Sequence, residues 1–299
     1  MKDISICIVN WNTRDLLDQC IDSVIRSSEG LSCELIVVDN ASTDGSVEML
    51  REKYPQVCLI QNQENIGFAA ANNRAMKVAT AEFILLLNSD TILNRDALVG
   101  SLQFIKLDET IGVCGIKLIS PDGTFQWSYC KFPTYLSEFL MATSLGSRLL
   151  NPYYPNPKPK KGEKPHQVDW ISGAYMLVRK KVFDQVGGMD ETYWMYSEET
   201  DWCYRIKKAG WKIYYLPDLE LVHLGGASTS KRKLEMEVQL YRSKAKFFLK
   251  NYGLNKAKGI LLMFWIIFLF RELVVRLFGI ILQGKNNYIR EEIKRAQSI

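Results

Sequence analysis

At 299 residues the chain is long enough to bury a substantial core, as one large domain or as one domain with an appendage. Its hydrophobic content of 47% and charged content of 24% are those of an ordinary globular protein and argue against wholesale disorder. The net charge of +5 is unevenly distributed, because the first 230 residues carry −5 and the residues from Lys231 onward carry +10. An acidic body with a basic tail favours a cation-using site in the body and an anionic surface as the tail's partner.

The seven cysteines are scattered, and no two of them form a C-x-x-C pair. Several lie inside apolar segments, as Cys7 and Cys58 do. This usage is typical of reduced, buried thiols in a cytosolic domain, and it argues against a disulfide framework or a zinc site. The first residues enter a strand directly, so we expect no secretory signal.

The first 90 residues alternate apolar segments of strand length with segments of helical periodicity. Strands are predicted at residues 4–11, 33–40, 57–62 and from residue 83, and helices at residues 14–28, 46–53 and 68–79. The strands are apolar on both faces, which is typical of parallel strands covered by helices on both sides. The sequence therefore predicts an α/β fold built from βαβ units around a parallel sheet.

Three of these strands end in Asn or Asp side chains. The endings are VNWN (residues 9–12), VDNASTDG (38–45) and NSDT (88–91). Ligands of open parallel sheets bind outside the carboxyl ends of the strands, so these side chains predict a polar crevice suited to a nucleoside. Asp39 could accept hydrogen bonds from a base or a ribose, and Asp90 is placed to hold a hard cation or a ribose. The ASTDG segment is equally well explained as a helix cap.

Two common nucleotide-binding motifs are missing from the sequence. The first strand is not followed by G-x-G-x-x-G, and G-x-x-x-x-G-K-[ST] occurs nowhere in the chain. A dinucleotide-dependent dehydrogenase and a P-loop NTPase are therefore both poor fits.

The second half begins with a predicted hairpin turn at PDGTF (residues 121–125) and then loses its periodicity. Residues 133–167 hold six of the nine prolines, and we predict a long loop there, either a lid or acceptor loop or a mobile insertion. After this loop the sequence again has the periodicity of regular secondary structure. It predicts a strand at residues 172–178, helices at residues 180–186 and 198–209, and two strands within residues 211–226.

Glu198, Glu199 and Asp201 open the second of these helices. The helix dipole favours carboxylates in a first turn, yet three of them directly after the aromatic segment YWMY exceed what a helix start needs. A carboxylate packed among Tyr and Trp would have a raised pKa, as a general base requires. A lone histidine is usually structural, but His223 lies near the end of the last predicted strand, opposite the polar crevice, and is a candidate metal ligand.

In this order, these motifs resemble the family 2 glycosyltransferases and, within them, the rhamnosyltransferase-like enzymes of bacterial surface polysaccharide synthesis. The matching pieces are IVNWN, VVDNASTDGS, the segment that holds Asn65, Gly67, Phe68, Asn72 and Asn73, LLLNSDT, DWISGAYMLVRK and MYSEETDWCYR. The resemblance covers roughly residues 4–226, and the ordered set is far more specific than any single motif.

The resemblance implies a GT-A fold, a Rossmann-like nucleotide-binding sheet with an acceptor-side subdomain, and an inverting sugar transfer with Mg²⁺ or Mn²⁺ as cofactor. The implied nucleotide-sugar residues are Asn10, Asn12, Asp39, Asn65, Gly67, Asn72, Ser89 and Asp90. The implied catalytic residues are Glu199 as the base, with Glu198 and Asp201, and the implied metal ligands are Asp90 and His223. Trp170, Gly173 and Trp202 would shape the acceptor side. The family often has two acidic residues where this chain has Asn88-Ser89-Asp90, so one carboxylate remains there.

The basic tail predicts helices that associate with a membrane. Residues 233–251 are basic and amphipathic, and residues 259–270 are uncharged before Arg271 and Glu272 interrupt the apolar segment. A membrane span needs about 20 apolar residues, so an interfacial helix or a short re-entrant hairpin on anionic cytoplasmic lipid fits better. Packing of these helices on the catalytic domain or on a second subunit stays open. We predict a catalytic domain at residues 1–230 and a peripheral or monotopic region at residues 231–299, on the cytoplasmic face of the inner (cell) membrane.

The leading hypothesis is a transferase that moves a sugar, with dTDP-rhamnose as the first choice of donor, to a hydroxyl of a lipid-linked or polysaccharide acceptor. The alternatives are a sugar-nucleotide pyrophosphorylase and a non-catalytic carbohydrate-binding or scaffold protein on the same fold. Nucleic acid is not an expected partner, because the basic residues flank apolar helices. The sequence leaves homo-oligomerisation open.

Overall fold

The computed structural model describes residues 2–156, 158–160, 162–225 and 233–278. The chain divides into two compact units. The first comprises residues 1–132 and 158–230, and the second comprises residues 133–157 and 231–299. The predicted domain boundary after residue 230 lies outside the described residues, as does the predicted apolar segment beyond residue 278.

Within the described residues, ten strands form a mixed sheet and two short strands form a second sheet. The strands are β1 (Ile4–Asn10), β2 (Cys33–Asp39), β3 (Cys58–Gln61), β4 (Phe83–Asn88), β5 (Thr91–Ile92), β6 (Ile111–Ile119), β7 (Phe125–Gln126), β8 (Tyr129–Cys130), β9 (His166–Gln167), β10 (Trp170–Ile171), β11 (Tyr175–Arg179) and β12 (Lys212–His223). The large sheet runs in the order β3-β2-β1-β4-β11-β6-β12-β5, with β7 paired to β6 and β9 paired to β12, while β8 pairs with β10.

The helices alternate with the strands in the first unit and dominate the second. They are α1 (Arg14–Ser27), α2 (Ser46–Lys53), α3 (Phe68–Val78), α4 (Arg95–Lys106), α5 (Tyr135–Ala142), α6 (Leu145–Leu149), α7 (Lys180–Val186), α8 (Glu198–Lys208), α9 (Lys233–Tyr252) and α10 (Leu254–Phe278).

The predicted βαβ half is confirmed. Strands β3, β2, β1 and β4 pair in parallel, and β4 is buried over all of its apolar residues. Ile6, Ile8 and Leu85 belong to a core that includes residues of α1 and α4, and the alternate residues Cys7 and Leu86 are fully buried as well, so these strands are buried on both faces. Parallel pairing brings the polar strand endings to one edge, since Asn10 pairs with Asp39 and Val9 with Asn88.

The sheet is not wholly parallel, which corrects the prediction. Strand β11 runs antiparallel to both β4 and β6. A strand buried on both faces has the same apolar pattern in either direction, so its pattern does not reveal its orientation. The segment predicted to hold two strands is a single strand, β12, whose register against β6 shifts between Leu216 and Glu220. This irregularity accommodates Pro217 and Asp218 within a continuous strand.

The second unit is helical. Helices α9 and α10 flank Gly253, which has a φ of 91°, and Tyr241 of α9 packs edge-on against Phe264 and Phe268 of α10. Helices α5 and α6 occupy part of the region predicted to be a long loop. Thr134 and Ser137 form a capping box that starts α5, and this signal in the sequence accounts for the difference.

Helix α5 is fixed to the C-terminal helices by two polar contacts. Tyr135 donates to the carbonyl oxygen of Lys256 at 2.7 Å, and Lys244 pairs with the buried Glu138 at 2.6 Å. None of the helices in the described part of the chain combines the length and the apolar character that crossing a membrane requires.

Candidate active site

A cavity of about 330 Å³ opens in the first unit at the carboxyl ends of β1 and β4. This size is within the range of small-molecule sites. Its lining includes the end of β4, the segment before β11, the start of α8 and the end of β12. The residues are Val9, Trp11, Asn40, Asn65, Phe68, Asn88, Ser89, Asp90, Gly173, Ala174, Met195, Tyr196, Glu198, Glu199 and His223.

Glu198 and Glu199 bring two neighbouring carboxyl groups to this cavity. Oε2 of each residue is buried and has no hydrogen-bond partner within the described part of the chain. Burial raises the pKa of Glu199 to about 7, and burial together with the charge of Glu199 raises the pKa of Glu198 well above its ordinary value. A carboxylate with an unused oxygen and a raised pKa can take a proton from a bound hydroxyl near neutral pH.

An unusual backbone turn places this pair. Tyr196 and Ser197 have φ values of 67° and 64°, so two consecutive residues other than glycine adopt the left-handed conformation. Such conformations cost of order 1 kcal/mol or more each and persist where the surrounding structure enforces them. The turn starts α8 at Glu198, at the edge of the cavity.

Asp90 and His223 lie side by side on the other elements of the cavity. Strand β5 pairs antiparallel with the end of β12, so that His223 is opposite Thr91. As a result, Nε2 of His223 lies 3.2 Å from Oδ1 of Asp90 and 3.4 Å from Nδ2 of Asn88. The structure thus brings together the two residues predicted as metal ligands from sequence positions 133 apart.

The donor atoms of this pair fit a divalent cation. A carboxylate oxygen and an imidazole nitrogen suit Mn²⁺, and carboxylate and carbonyl oxygens suit Mg²⁺. Nδ1 of His223 is engaged by Oε1 of Gln126 at 2.7 Å, which leaves Nε2 on the side of Asp90. Among the described residues, no group of three or more His, Cys, Asp or Glu side chains could together hold a metal.

Asp39, predicted to contact the base or ribose, is enclosed in the protein. It is fully buried, with Oδ2 accepting from Asn10 at 2.8 Å and Oδ1 accepting from the backbone N–H of Ser42 at 2.9 Å. Asn10 in turn accepts from Thr13, and the hydroxyl of Thr13 lies 2.9 Å from that of Ser89. The network ties the ends of β1, β2 and β4 together. A direct contact of Asp39 with a nucleoside stays a prediction.

The other predicted nucleotide-sugar residues shape the backbone around the cavity. Asn12 accepts from the N–H of Thr43, and Asn72 donates to the carbonyl of Phe68. Asn65 accepts from the N–H of Gly67, which has a φ of 83°. A Cβ on Gly67 would lie 2.6 Å from the carbonyl oxygen of Trp194. Both the positive φ and the lack of space for a Cβ therefore require glycine at this position.

Three residues predicted at the catalytic or acceptor side do not line the cavity. Asp201 is fully buried and paired with Arg205 at 3.0 Å, and Trp202 is fully buried and donates to the carbonyl of Gly187 at 2.8 Å. Trp170 donates to the carbonyl of Lys131 at 3.2 Å. Gly173 does line the cavity, and a Cβ there would lie 3.1 Å from the ring of Phe68.

Sequence reasoning missed several residues of the site. Trp11, Met195 and Tyr196 line the cavity, and Gln126 contacts His223 behind it. Trp11 lies within the predicted polar strand ending at residues 9–12, which is a usable signal. Asn40 also lines the cavity, as its place in the predicted polar ending at residues 38–45 implies. Gln126 follows a predicted hairpin turn, and nothing in its type or spacing distinguishes it.

The family model for glycosyl transferase family 2 matches residues 5–187 of the chain. This chain belongs to that family. The protein is therefore a glycosyltransferase, and the membership favours this activity over the pyrophosphorylase and scaffold alternatives.

Curated relatives of this glycosyltransferase include two bacterial rhamnosyltransferases. It is 29% identical over 252 residues to the N-acetylglucosaminyl-diphospho-decaprenol L-rhamnosyltransferase of Mycobacterium tuberculosis, an alignment that covers 77% of this chain and 79% of the relative. It is 30% identical over 167 residues to the rhamnosyltransferase WbbL of Escherichia coli, with 52% of this chain and 60% of the relative covered.

Solved structures show the same fold at low sequence identity. The mannosyltransferase of Pyrobaculum calidifontis, solved in complex with GDP-mannose and Mn²⁺, matches with a TM-score of 0.56 at 17% identity, over 100% of this chain and 76% of the other. Residues 1–349 of TarS from S. aureus match with a TM-score of 0.51 at 17% identity, over 95% of this chain and 74% of the other. The mixed sheet of the glycosyltransferase is therefore that of the GT-A fold.

Proposed function

We propose that this glycosyltransferase moves a rhamnosyl group, with inversion, from dTDP-rhamnose to a hydroxyl of a lipid-linked saccharide. The donor and the acceptor are supported by the names of the relatives, one of which is a rhamnosyltransferase acting on N-acetylglucosaminyl-diphospho-decaprenol. The observation that carries the chemistry is the buried carboxylate oxygen of Glu199, which has no hydrogen-bond partner among the described residues and lies at a cavity also lined by Asp90 and His223.

In the proposed reaction, Glu199 is the general base. The acceptor oxygen attacks the anomeric carbon and its proton passes to the carboxylate of Glu199, while the bond from that carbon to the diphosphate oxygen breaks and the nucleoside diphosphate leaves. Attack from the side opposite the leaving group inverts the anomeric centre. Glu198 is the more enclosed of the two acids, and its raised pKa favours a protonated state beside the ionised base.

Asp90 and His223 are the residues we propose to hold a divalent cation on the diphosphate side. Such a cation would neutralise the charge that develops on the leaving diphosphate. The Mn²⁺ in the complex of the Pyrobaculum mannosyltransferase supports the use of a divalent cation. Asn88 lines the cavity where a second carboxylate is often found in the family, and its amide supplies a hydrogen bond rather than a charge.

The experiment is a transfer assay on detergent-purified full-length protein. It would present dTDP- and UDP-sugars with a short-chain N-acetylglucosaminyl-diphospho-lipid, with Mn²⁺ and after chelation. We expect turnover of dTDP-rhamnose that depends on the metal. Turnover of another donor would overturn the donor assignment, and turnover after exhaustive chelation would overturn the metal role of Asp90 and His223.

Two variants test the base. Glu199→Gln should lower the rate of transfer by at least about 10³-fold. Its affinity for the donor, measured by calorimetry, should be retained. Glu48→Gln, at an exposed position on α2, is the matched control and should be as active as the wild type. Retained turnover in Glu199→Gln would remove Glu199 from the role.

We also propose that the second unit attaches the enzyme peripherally to the anionic cytoplasmic face of the membrane. One face of α10 is apolar and exposed, with Leu262, Trp265, Ile266 and Phe270 each more than half exposed. Lys256 and Lys258 precede this face and Arg271 follows it, within a region of net charge +10. An apolar face with flanking cations suits the boundary between acyl chains and anionic headgroups.

A further inference from the structure

The imidazole of His223 contacts three side chains. Nδ1 lies 2.7 Å from Oε1 of Gln126, and Nε2 lies 3.2 Å from Oδ1 of Asp90 and 3.4 Å from Nδ2 of Asn88. A neutral imidazole carries one N–H, which can satisfy only one of these two oxygen acceptors. The position of that proton decides whether Nε2 can act as a ligand.

The hydrogen bonds of Gln126 fix the orientation of its amide. The amide nitrogen lies 2.8 Å from the carbonyl oxygen of His223 and 2.8 Å from the hydroxyl oxygen of Ser120. A carbonyl oxygen can only accept, so the NH₂ group must be on that side and the amide oxygen must face the imidazole. The amide oxygen also can only accept. Nδ1 of His223 is therefore the nitrogen that bears hydrogen.

We propose that Gln126 is a positioning residue that holds His223 in the Nδ1–H tautomer, so that Nε2 presents its lone pair beside the carboxylate of Asp90 as a ligand for a divalent cation. The inference rests on the proposed metal role of Asp90 and His223. Without Gln126, the Asp90 carboxylate would be the remaining strong acceptor, and the ring proton would move to Nε2 to reach it. That shift would occupy the lone pair that the cation needs.

The fold holds Gln126 independently of the cavity. Strand β7 pairs with β6, with Gln126 opposite Leu118, and the connecting turn is closed by a 2.8 Å hydrogen bond from the N–H of Ser120 to the carbonyl of Thr124. The amide oxygen that accepts from Nδ1–H of His223 is therefore held by the β6–β7 hairpin, and Gln126 itself does not line the cavity. This is the arrangement expected of a residue that orients a metal ligand from behind.

The tautomer can be read directly by NMR. The chain has two histidines, so protein labelled with ¹⁵N-histidine gives two imidazole patterns in a long-range ¹H–¹⁵N correlation spectrum, and His166→Gln assigns them. We expect metal-free wild-type protein at pH 8.5 to show the Nδ1–H pattern for His223. A Nε2–H pattern or a doubly protonated ring would overturn the proposal.

Two substitutions of Gln126 separate its chemistry from its packing. Gln126→Leu removes the acceptor and should shift His223 to the Nε2–H tautomer, whereas Gln126→Glu keeps an oxygen acceptor and should retain Nδ1–H. Thermal unfolding establishes that each variant is folded. An unchanged Nδ1–H pattern in folded Gln126→Leu would overturn the role of Gln126.

Binding of Mn²⁺ in the presence of dTDP, followed by the EPR signal of the free ion, gives a second readout that needs no turnover. We expect Gln126→Leu to weaken Mn²⁺ binding by 10- to 100-fold, and Gln126→Glu to restore most of it. Gln167→Leu, an exposed glutamine on β9, is the matched control and should bind as the wild type does. Equal affinity in Gln126→Leu and the wild type would contradict the inference, and a wild-type protein that binds no Mn²⁺ would refute the metal assignment itself.

Discussion

Glu198 and Glu199 are adjacent in the chain, line the same cavity, and each has a buried carboxylate oxygen without a hydrogen-bond partner among the described residues. The helix dipole at the start of α8 favours negative charge there, but burial opposes it. The raised pKa values of both groups indicate that burial is the larger effect. Backbone N–H groups at the start of the helix also lower the pKa of both carboxyl groups, so the feature that distinguishes this pair from ordinary capping residues is the buried oxygen without a partner among the described residues.

The first prediction concerns the pH dependence of transfer. Because the pKa of Glu199 is raised to about 7, the base is protonated in acid and ionised above neutral pH. We expect kcat/KM to rise roughly tenfold per pH unit below pH 7 and to level off between about pH 7.5 and 8.5. The measurement is a pH profile at a saturating donor concentration. A profile that has already levelled off at pH 5 would contradict the role of Glu199.

The second prediction concerns stability. In the unfolded chain Glu198 ionises near its ordinary pKa, whereas in the folded chain its pKa is raised. The folded state therefore binds the extra proton, and stability falls as the pH rises above the ordinary glutamate value. Glu198→Gln carries no charge and should therefore stabilise the protein at pH 8.

At pH 4, where Glu198 is protonated in the folded state and largely protonated in the unfolded state, the same substitution should have a much smaller effect on the free energy of unfolding. Urea unfolding at the two pH values measures the difference, and Glu48→Gln serves as the exposed control. Equal effects of Glu198→Gln at pH 4 and pH 8 would show that packing, rather than ionisation, dominates.

The third prediction compares two glycines that both have a positive φ but differ in the space around them. Gly67 and Gly123 have φ values of 83° and 80°, and the ψ of Gly67 is 173°, a combination essentially restricted to glycine. A Cβ at Gly67 would meet the carbonyl oxygen of Trp194 at 2.6 Å, whereas a Cβ at Gly123 would meet nothing within 4 Å. Gly123→Ala should therefore cost only the backbone term, about 1 kcal/mol, and Gly67→Ala should cost about 2–4 kcal/mol.

Chemical unfolding of both variants measures that difference. Gly67→Ala should also lower activity, because Phe68 donates its N–H to the carbonyl of Trp194, and Phe68 lines the cavity. Comparable losses of stability in the two variants would mean that the segment containing Trp194 moves away at little cost.

The sequence predicted the structure best where a residue pattern is compatible with only one local structure. Apolar segments ending in Asn or Asp located the strand ends. The glycosyltransferase-like motifs singled out Asp90 and Glu199, the position near the end of the last predicted strand singled out His223, and the fold brings the three to one cavity. The antiparallel direction of β11 could not be read, since a strand buried on both faces has no directional pattern. The contact of Gln126 with His223 depends on side-chain geometry across separate strands, which residue type does not encode.

The fourth prediction assigns Asp201 to stability rather than chemistry. Its side chain is fully buried against Arg205, whose guanidinium also donates to the carbonyls of Val186 and Gly188. Asp201→Asn should destabilise the protein by about 3 kcal/mol, because it leaves the partly buried guanidinium without its counter-ion. The folded variant should keep its kcat.

The exposed pair Lys180–Asp184 has the same i, i+4 spacing and provides the control. Asp184→Asn should change the free energy of unfolding by less than about 1 kcal/mol, because water screens that pair. Urea unfolding and steady-state kinetics on both variants give the comparison. A folded Asp201→Asn protein with normal stability and a large loss of kcat would indicate that Asp201 has a catalytic role.

The last prediction tests the proposed membrane attachment. Trp265 on α10 and Trp127 in the first unit are 51% and 48% exposed, so the two tryptophans differ in location but little in exposure. If the apolar face of α10 enters the headgroup region, Trp265→Ser should weaken binding to vesicles containing phosphatidylglycerol by about tenfold, since a buried aromatic side chain contributes of order 1–2 kcal/mol. Trp127→Ser should leave vesicle binding unchanged.

Flotation of the full-length protein with vesicles measures this binding, and high salt should reduce it because the flanking lysines and arginines act on anionic lipid. Binding that is insensitive to Trp265→Ser would overturn the proposal for this face. A protein that forms a dimer without vesicles, and loses the dimer in Trp265→Ser, would instead assign the face to a second copy of the chain. Mass photometry on the same samples distinguishes the two results, because a lipid-binding face leaves the vesicle-free protein monomeric in both variants.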